Sequence, residues 1–158
     1  MLHYLIVFLI SMVPLIELRG AVVVAAGFAK QGLMNLTLAY FICVLGNMLP
    51  VPIIYLFARK VLVWGADKPV IGKFFTFCLK KGESGGRKLQ EKAGEKGIFL
   101  ALLLFVGIPI PGTGAWTGTL AASILDMDFK TTIKAVILGV FLAGIIMMTL
   151  GYLGFSVV

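Results

Sequence analysis

The sequence predicts an all-α polytopic membrane protein: two re-entrant helical hairpins and two full transmembrane helices in an inverted repeat, with a cytoplasmic amphipathic helical loop between the halves. Three observations predict it. Of 158 residues, 60% are hydrophobic and 13% charged, with a mean hydropathy of +1.06; soluble domains hold nearer ~45–50% apolar residues. Two apolar stretches are long enough to cross a bilayer. Two more are broken in the middle. Residues 1–158 are therefore expected to form a single integral membrane domain, with 1–58 as the first repeat, 59–97 as the basic loop and 98–158 as the second repeat.

The first stretch, residues 2–29, is interrupted by Pro14, Glu17, Arg19 and Gly20. It has no basic n-region and no small-residue cleavage site before Glu17, so it is expected to remain in the mature protein. Each apolar arm beside the break reaches about half of a ~30 Å hydrocarbon core. Residues 36–58 carry no charge and read as a full crossing, with Asn47 as their intramembrane polar group and Pro50 and Pro52 close by.

Between residues 59 and 96 stand ten basic side chains against four acidic ones, +6 of the total +7. The positive-inside rule places this loop in the cytoplasm of a cell whose inner membrane holds the protein. No nucleic-acid motif accompanies the charge, so no nucleic acid partner is expected. Val70, Ile71, Phe74, Phe75 and Cys78 share one face over 69–81 and predict an interfacial amphipathic helix that meets membrane lipid. Residues 83–97 contain the like-charge pairs Lys88/Lys92 and Glu91/Glu95 at i,i+4 and read as a solvated, at most marginally helical connector. GESGGRK is a poor phosphate loop, because Leu89 follows Lys88 and no strand precedes it.

The second broken stretch, residues 98–125, is interrupted by Pro109, Pro111, Gly112 and Gly114. Residues 133–155 form the second crossing, with Lys134 near one end and Gly139, Gly144, Gly151 and Gly154 as small packing positions. A shift of 94 residues lays Gly20-Ala21 on Gly114-Ala115 and Thr37 on Thr131. The order broken segment, crossing, loop, broken segment, crossing is a duplicated plan. Paired interrupted segments point to a transporter whose site lies at the bilayer midplane, where the two tips meet.

The candidate site follows from the residues at those tips. Two charges inside an apolar segment each cost at least ~2.5–3.5 kcal/mol, so Glu17 and Arg19 must face protein, water or each other. One reading is an ion pair that stabilises the hairpin; the other is substrate binding or proton coupling, with Glu17 carrying the proton and Arg19 meeting an anionic group. In the second segment Pro109 and Pro111 end a helix, and Gly112 and Gly114 allow a turn; the other reading is a Pro-kinked spanning helix. The helix leaving it presents free N–H groups from Gly114 to Thr117, an anion-seeking end. Thr113 and Thr117 add hydroxyls and Trp116 a wall with one donor. Asn47 reaches either tip or packs between helices. His3, Cys43 and Cys78 lack ligand spacing, so neither metal nor cofactor is expected. No catalytic constellation is present, and an enzyme is not expected.

PLIELRG near the start and PIPGTGAWTG in the second half resemble the signature stretches of the small multidrug export protein family of prokaryotic membrane proteins. More distantly, the plan is similar to the DedA or VTT superfamily, whose two re-entrant hairpins are linked to movement of undecaprenyl phosphate or other lipids. The resemblance implies that Glu17 is the acidic residue of the first hairpin and Pro111-Gly112 the Pro-Gly of the second. Ile108 and Gly114 stand where the DedA-like pattern has arginines, and Gly46-Asn47 stands for its Gly-Asp.

The expected function is a small transporter, a homodimer, moving an amphiphilic, anionic or lipid-like substrate, with protons as coupling ion. The alternatives are proton-coupled export of organic cations, with Glu17 alternating between proton and drug, and a non-transporting membrane scaffold.

Overall fold

The computed structural model describes residues 1–14, 16–69 and 72–152. They form helices α1 (Leu2–Met12), α2 (Glu17–Lys30), α3 (Leu36–Met48), α4 (Pro50–Ala66), α5 (Gly72–Gly107), α6 (Ala115–Ile124) and α7 (Phe129–Tyr152), with no strand among the described residues. The first broken segment reverses direction. Pro14 stops α1, and the start of α1 returns to the end of α2: the His3 and Phe28 rings lie 4.8 Å apart, and the Tyr4 hydroxyl accepts from the Asn35 N–H at 2.8 Å. A single continuous helix would separate His3 from Phe28 by ~38 Å. With 11 and 14 residues, α1 and α2 are ~16 and ~21 Å long, each short of a ~30 Å core.

Two runs are long and apolar enough to cross a membrane, Leu36–Ala66 and Phe129–Leu150. The first joins α3 to α4 through Leu49, whose φ −61° and ψ −42° keep the backbone helical up to Pro50, which removes one hydrogen bond. Asn35 starts the run by accepting the Leu38 N–H on its side chain at 3.1 Å. The core gathers Val7, Leu18, Ala21, Val22, Tyr40, Cys43, Val106, Val136 and Val140. Glycines let α7 approach closely, as the apolar pattern suggested. A Cβ on Gly139 would lie 2.8 Å from the Leu103 carbonyl, and one on Gly144 3.0 Å from Leu18. Gly154 and the surroundings of Gly151 lie outside the described residues.

The basic stretch differs from the expected connector. Residues 83–97 belong to α5, which runs from Gly72 to Gly107 and breaks at Gly94, with φ 64° and ψ 177°. Gly82 and Gly86 sit against the end of α6: a Cβ on Gly82 would come 2.6 Å from Ile124 Cγ2, and one on Gly86 3.0 Å from the Leu125 carbonyl carbon. Backbone-close packing of this kind outweighs the small like-charge repulsion between exposed i,i+4 pairs. Gly118, six residues before Ile124, meets Val106 and Leu102. Straight geometry would place Gly86 and Leu102 ~24 Å apart against ~10 Å for Gly118 to Leu125, so the chain must bend at Gly94. Within 69–81, Phe74 and Phe77 are exposed and Phe75 lies on Gly65. Val70, Ile71 and the Cys78 side chain lie outside the described residues.

Candidate functional site

The tips of the two broken segments meet. Glu17 opens α2 in a left-handed conformation, φ 50°, which a non-glycine residue adopts at a cost of about 1–3 kcal/mol. Its side chain, 5% exposed, reaches 98 residues along the chain to the start of α6. There Oε2 accepts the Ala115 N–H and Oε1 the Trp116 N–H, both at 3.0 Å. The α6 N-terminus has no side-chain cap of its own, and Glu17 supplies one from another segment. A carboxylate on two helix-terminal N–H groups combines two charge-assisted bonds, about 1.5–3 kcal/mol each, with the favourable end of the helix dipole.

Arg19 does the reverse at the other side of the same turn. Its Nη1 donates to the Ile110 carbonyl at 2.5 Å, while Nη2 donates to the Ile108 carbonyl at 3.0 Å, the Thr113 hydroxyl at 2.9 Å and, at 3.4 Å, the Val106 carbonyl. Those carbonyls lie at and just past the end of α5, where the Ile108 and Ile110 oxygens also accept the Ile110 and Thr113 N–H groups. Thus the acid of the first tip neutralises the positive helix end of the second, and the base neutralises the negative one. The expected alternative of a Glu17–Arg19 ion pair is not what forms. Among the described residues the salt bridge is Arg59–Asp126, where α4 meets the turn after α6.

Gly114 makes the junction fit. Its φ of 144° belongs to glycine, and a Cβ there would stand 2.6 Å from the Glu17 carboxyl carbon. The close approach that this glycine permits is therefore by Glu17. Thr113, through its hydroxyl, also bonds the Ile108 and Ile110 carbonyls at 3.0 and 2.8 Å and closes the turn. Trp116 is half-buried and its indole Nε1 is buried without a protein partner. The hydroxyl of Thr117 reaches only the Gly114 carbonyl, at 3.5 Å. Pro111 and Gly112 are exposed, and Gly112 takes φ 83° in open space. Gly20 is half-buried one turn above Ile16, to whose carbonyl its N–H donates at 3.0 Å. Asn47 is buried on α3 with Oδ1 unpartnered, and no bond joins it to either tip.

Sequence reasoning missed Tyr55, Ser123 and the Schellman turn that ends α6. Ser123 donates to the Tyr55 carbonyl at 2.9 Å, and the Tyr55 hydroxyl donates to the Met127 carbonyl. Asp126 holds φ 57°, with Met127 N–H on the Ala122 carbonyl at 3.0 Å. The small residues of TLAAS and the Asp in LDMD were the available signals.

An all-helical chain with two long apolar helices and a buried charged junction between broken segments is a small helical membrane protein. Residues 17–146 match the family described as "Putative small multi-drug export protein", and the chain belongs to that family, one of transporters by its name. No curated protein and no solved structure was found to match it.

Proposed function

We propose that the protein is an exporter of amphiphilic organic cations in which Glu17 exchanges a proton for substrate between two re-entrant tips. One observation carries the reading: the guanidinium and the helix-end N–H groups that would hold an anion are already engaged. The α6 N–H groups hold the Glu17 carboxylate, and the Arg19 guanidinium is satisfied by the α5 end and Thr113. The carboxylate is the charged group left to offer a substrate, and it suits a cation. Deprotonated, Glu17 latches the tips together. Protonation replaces one acceptor oxygen with a hydroxyl facing an N–H, which loosens the latch; release of that proton restores a carboxylate that attracts a cation.

The arms of α1, α2 and α6 are each too short to span the hydrocarbon, which supports re-entrant hairpins in an inverted repeat. In this reading residues 59–96 face the cytoplasm, the inner membrane is the location, and a second copy shields the hairpins. An anionic, lipid-like substrate is the second reading; it rests on the DedA-like plan and would have to displace Glu17 from α6.

Proteoliposomes with an imposed pH gradient separate these. Gradient-driven flux of a cationic dye, with no movement of labelled polyprenyl phosphate, is the expected result. Movement of polyprenyl phosphate alone would overturn the cation reading, and movement of neither would leave a scaffold.

A further inference from the structure

Four buried side-chain polar atoms have no protein partner among the described residues: Asn47 Oδ1, Trp116 Nε1, Thr119 Oγ1 and Thr132 Oγ1. Asn47 is 1% exposed, and Thr119 and Thr132 are 0%. An isolated orphan is a local defect, whereas several together ask for a ligand.

They are together. Helices α4 and α6 run parallel, because Ser123 bonds to Tyr55 and Asp126, three residues on, pairs with Arg59, four residues on. Going one turn back sets Val51 level with Thr119, and a second turn sets Asn47 level with Ala115 and Trp116. The helical Leu49 preserves that face across Pro50. Three of the orphans therefore line one seam. It begins at the Glu17 carboxylate, held by Ala115 and Trp116, and runs ~12 Å to Ser123 and Tyr55. Thr132 stands one turn along α7 from Phe129, whose ring meets that of Tyr55 at 5.2 Å, beside the far end. Next to it lies a groove of about 440 Å³ lined by Tyr55, Leu56, Arg59, Lys60, Val63 and Trp64.

We infer that this seam between the α3–α4 run and α6 holds a file of water molecules that connects Glu17 to the basic end of the protein. Water suits the atoms present: it donates to Asn47 Oδ1, accepts from Trp116 Nε1 and does either with the Thr119 hydroxyl, giving each molecule polar partners along the way. Each Glu17 oxygen keeps a lone pair after accepting one backbone N–H. A proton leaving the carboxyl is taken up by the adjacent water while that file releases another at the far end, so charge balances at every step. The charged groups facing the file are Arg19 beside Glu17 at one end and Arg59, Lys60, Asp126 and Asp128 around Tyr55 at the other.

The inference rests on Glu17 as the proton site of the proposed exchange, and its test does not need transport. In a Cys43→Ser, Cys78→Ser background, Thr119→Cys in proteoliposomes is exposed to silver ions, which travel in water and are excluded from hydrocarbon. Free thiol is then counted with a fluorescent maleimide after denaturation. Silver should block Thr119→Cys at least ~10-fold faster than Ala25→Cys, a fully buried core position on α2. Equal rates overturn the water file. Should Thr119→Cys not fold, Ser123→Cys serves in the same comparison. Thr119→Val gives a second readout: a hydrated seam loses water bonds and melts at the same or a lower temperature, whereas a higher melting temperature marks a dry seam and overturns the inference. Fast silver access without dye flux would sink the export reading alone; dye flux with slow silver access would sink the water file alone.

Discussion

Replacing Gly114 with alanine tests the tip junction at its tightest point. The new Cβ would stand 2.6 Å from the Glu17 carboxyl carbon, so the carboxylate must withdraw from at least one of its two N–H partners. Loss of one charge-assisted bond costs about 1.5–3 kcal/mol. The backbone strain of alanine at φ 144° adds about 1–3 kcal/mol. Together these predict a destabilisation of about 4 kcal/mol. Gly112→Ala is the control, since φ is 83° but nothing lies within 4 Å, leaving strain alone. Equilibrium unfolding in mixed micelles, followed by helical circular dichroism, should show Gly114→Ala worse than Gly112→Ala by about 2 kcal/mol. In a Glu17→Ala background that excess should vanish. An excess that persists without the Glu17 side chain would refute the packing argument.

Three other predictions address the frame around the site. Gly82→Ala and Gly86→Ala should destabilise, whereas Gly85→Ala, 3.4 Å from a flexible Leu125 methyl, should be neutral or stabilise by about 0.5–1 kcal/mol, as alanine normally does within a helix; the three melting temperatures decide it. Asp128, whose carboxyl accepts the Thr131 N–H at 2.9 Å and its hydroxyl at 3.1 Å, is held below the usual carboxylate range by those bonds. Its stabilisation of the α7 start should therefore be full above pH ~4 and fade as pH falls further, so Asp128→Asn should lose its melting deficit in acid; a deficit unchanged down to the lowest pH tolerated would contradict this. Finally, re-entrant hairpins put both termini outside and residues 126–132 inside, so a C-terminal reporter active only in the cytoplasm would contradict that topology.

The crossings and the two breaks were legible because they are one-dimensional signals: unbroken apolar length, and proline, glycine or charge inside it. Glu17 and Arg19 stood out because a charge within an apolar segment must find a partner. Their partners were not legible. Each binds a helix end about 90 residues away, and no local pattern says whether an anion-seeking N-terminus is vacant or already filled by a side chain of the same protein. The helix over 83–97 was hidden for a different reason. Its like-charge pairs are a surface property, while Gly82 and Gly86 act through tertiary contact with Ile124 and Leu125; the glycine spacing at i,i+4 was the sign to heed. The polar seam was invisible in sequence because Asn47 and Thr119 are unremarkable singly and become a set only once α4 and α6 lie parallel.

Glu17→Gln is the most direct test of proton exchange at the junction, because the amide keeps nearly the same shape and cannot release a proton near neutral pH. Dye export should be measured in proteoliposomes across a series of imposed pH gradients, with folding checked by extraction and melting. The account predicts that wild-type flux follows the gradient and that Glu17→Gln flux is low and indifferent to it. Gradient-dependent flux of wild-type size in folded Glu17→Gln protein would contradict the account.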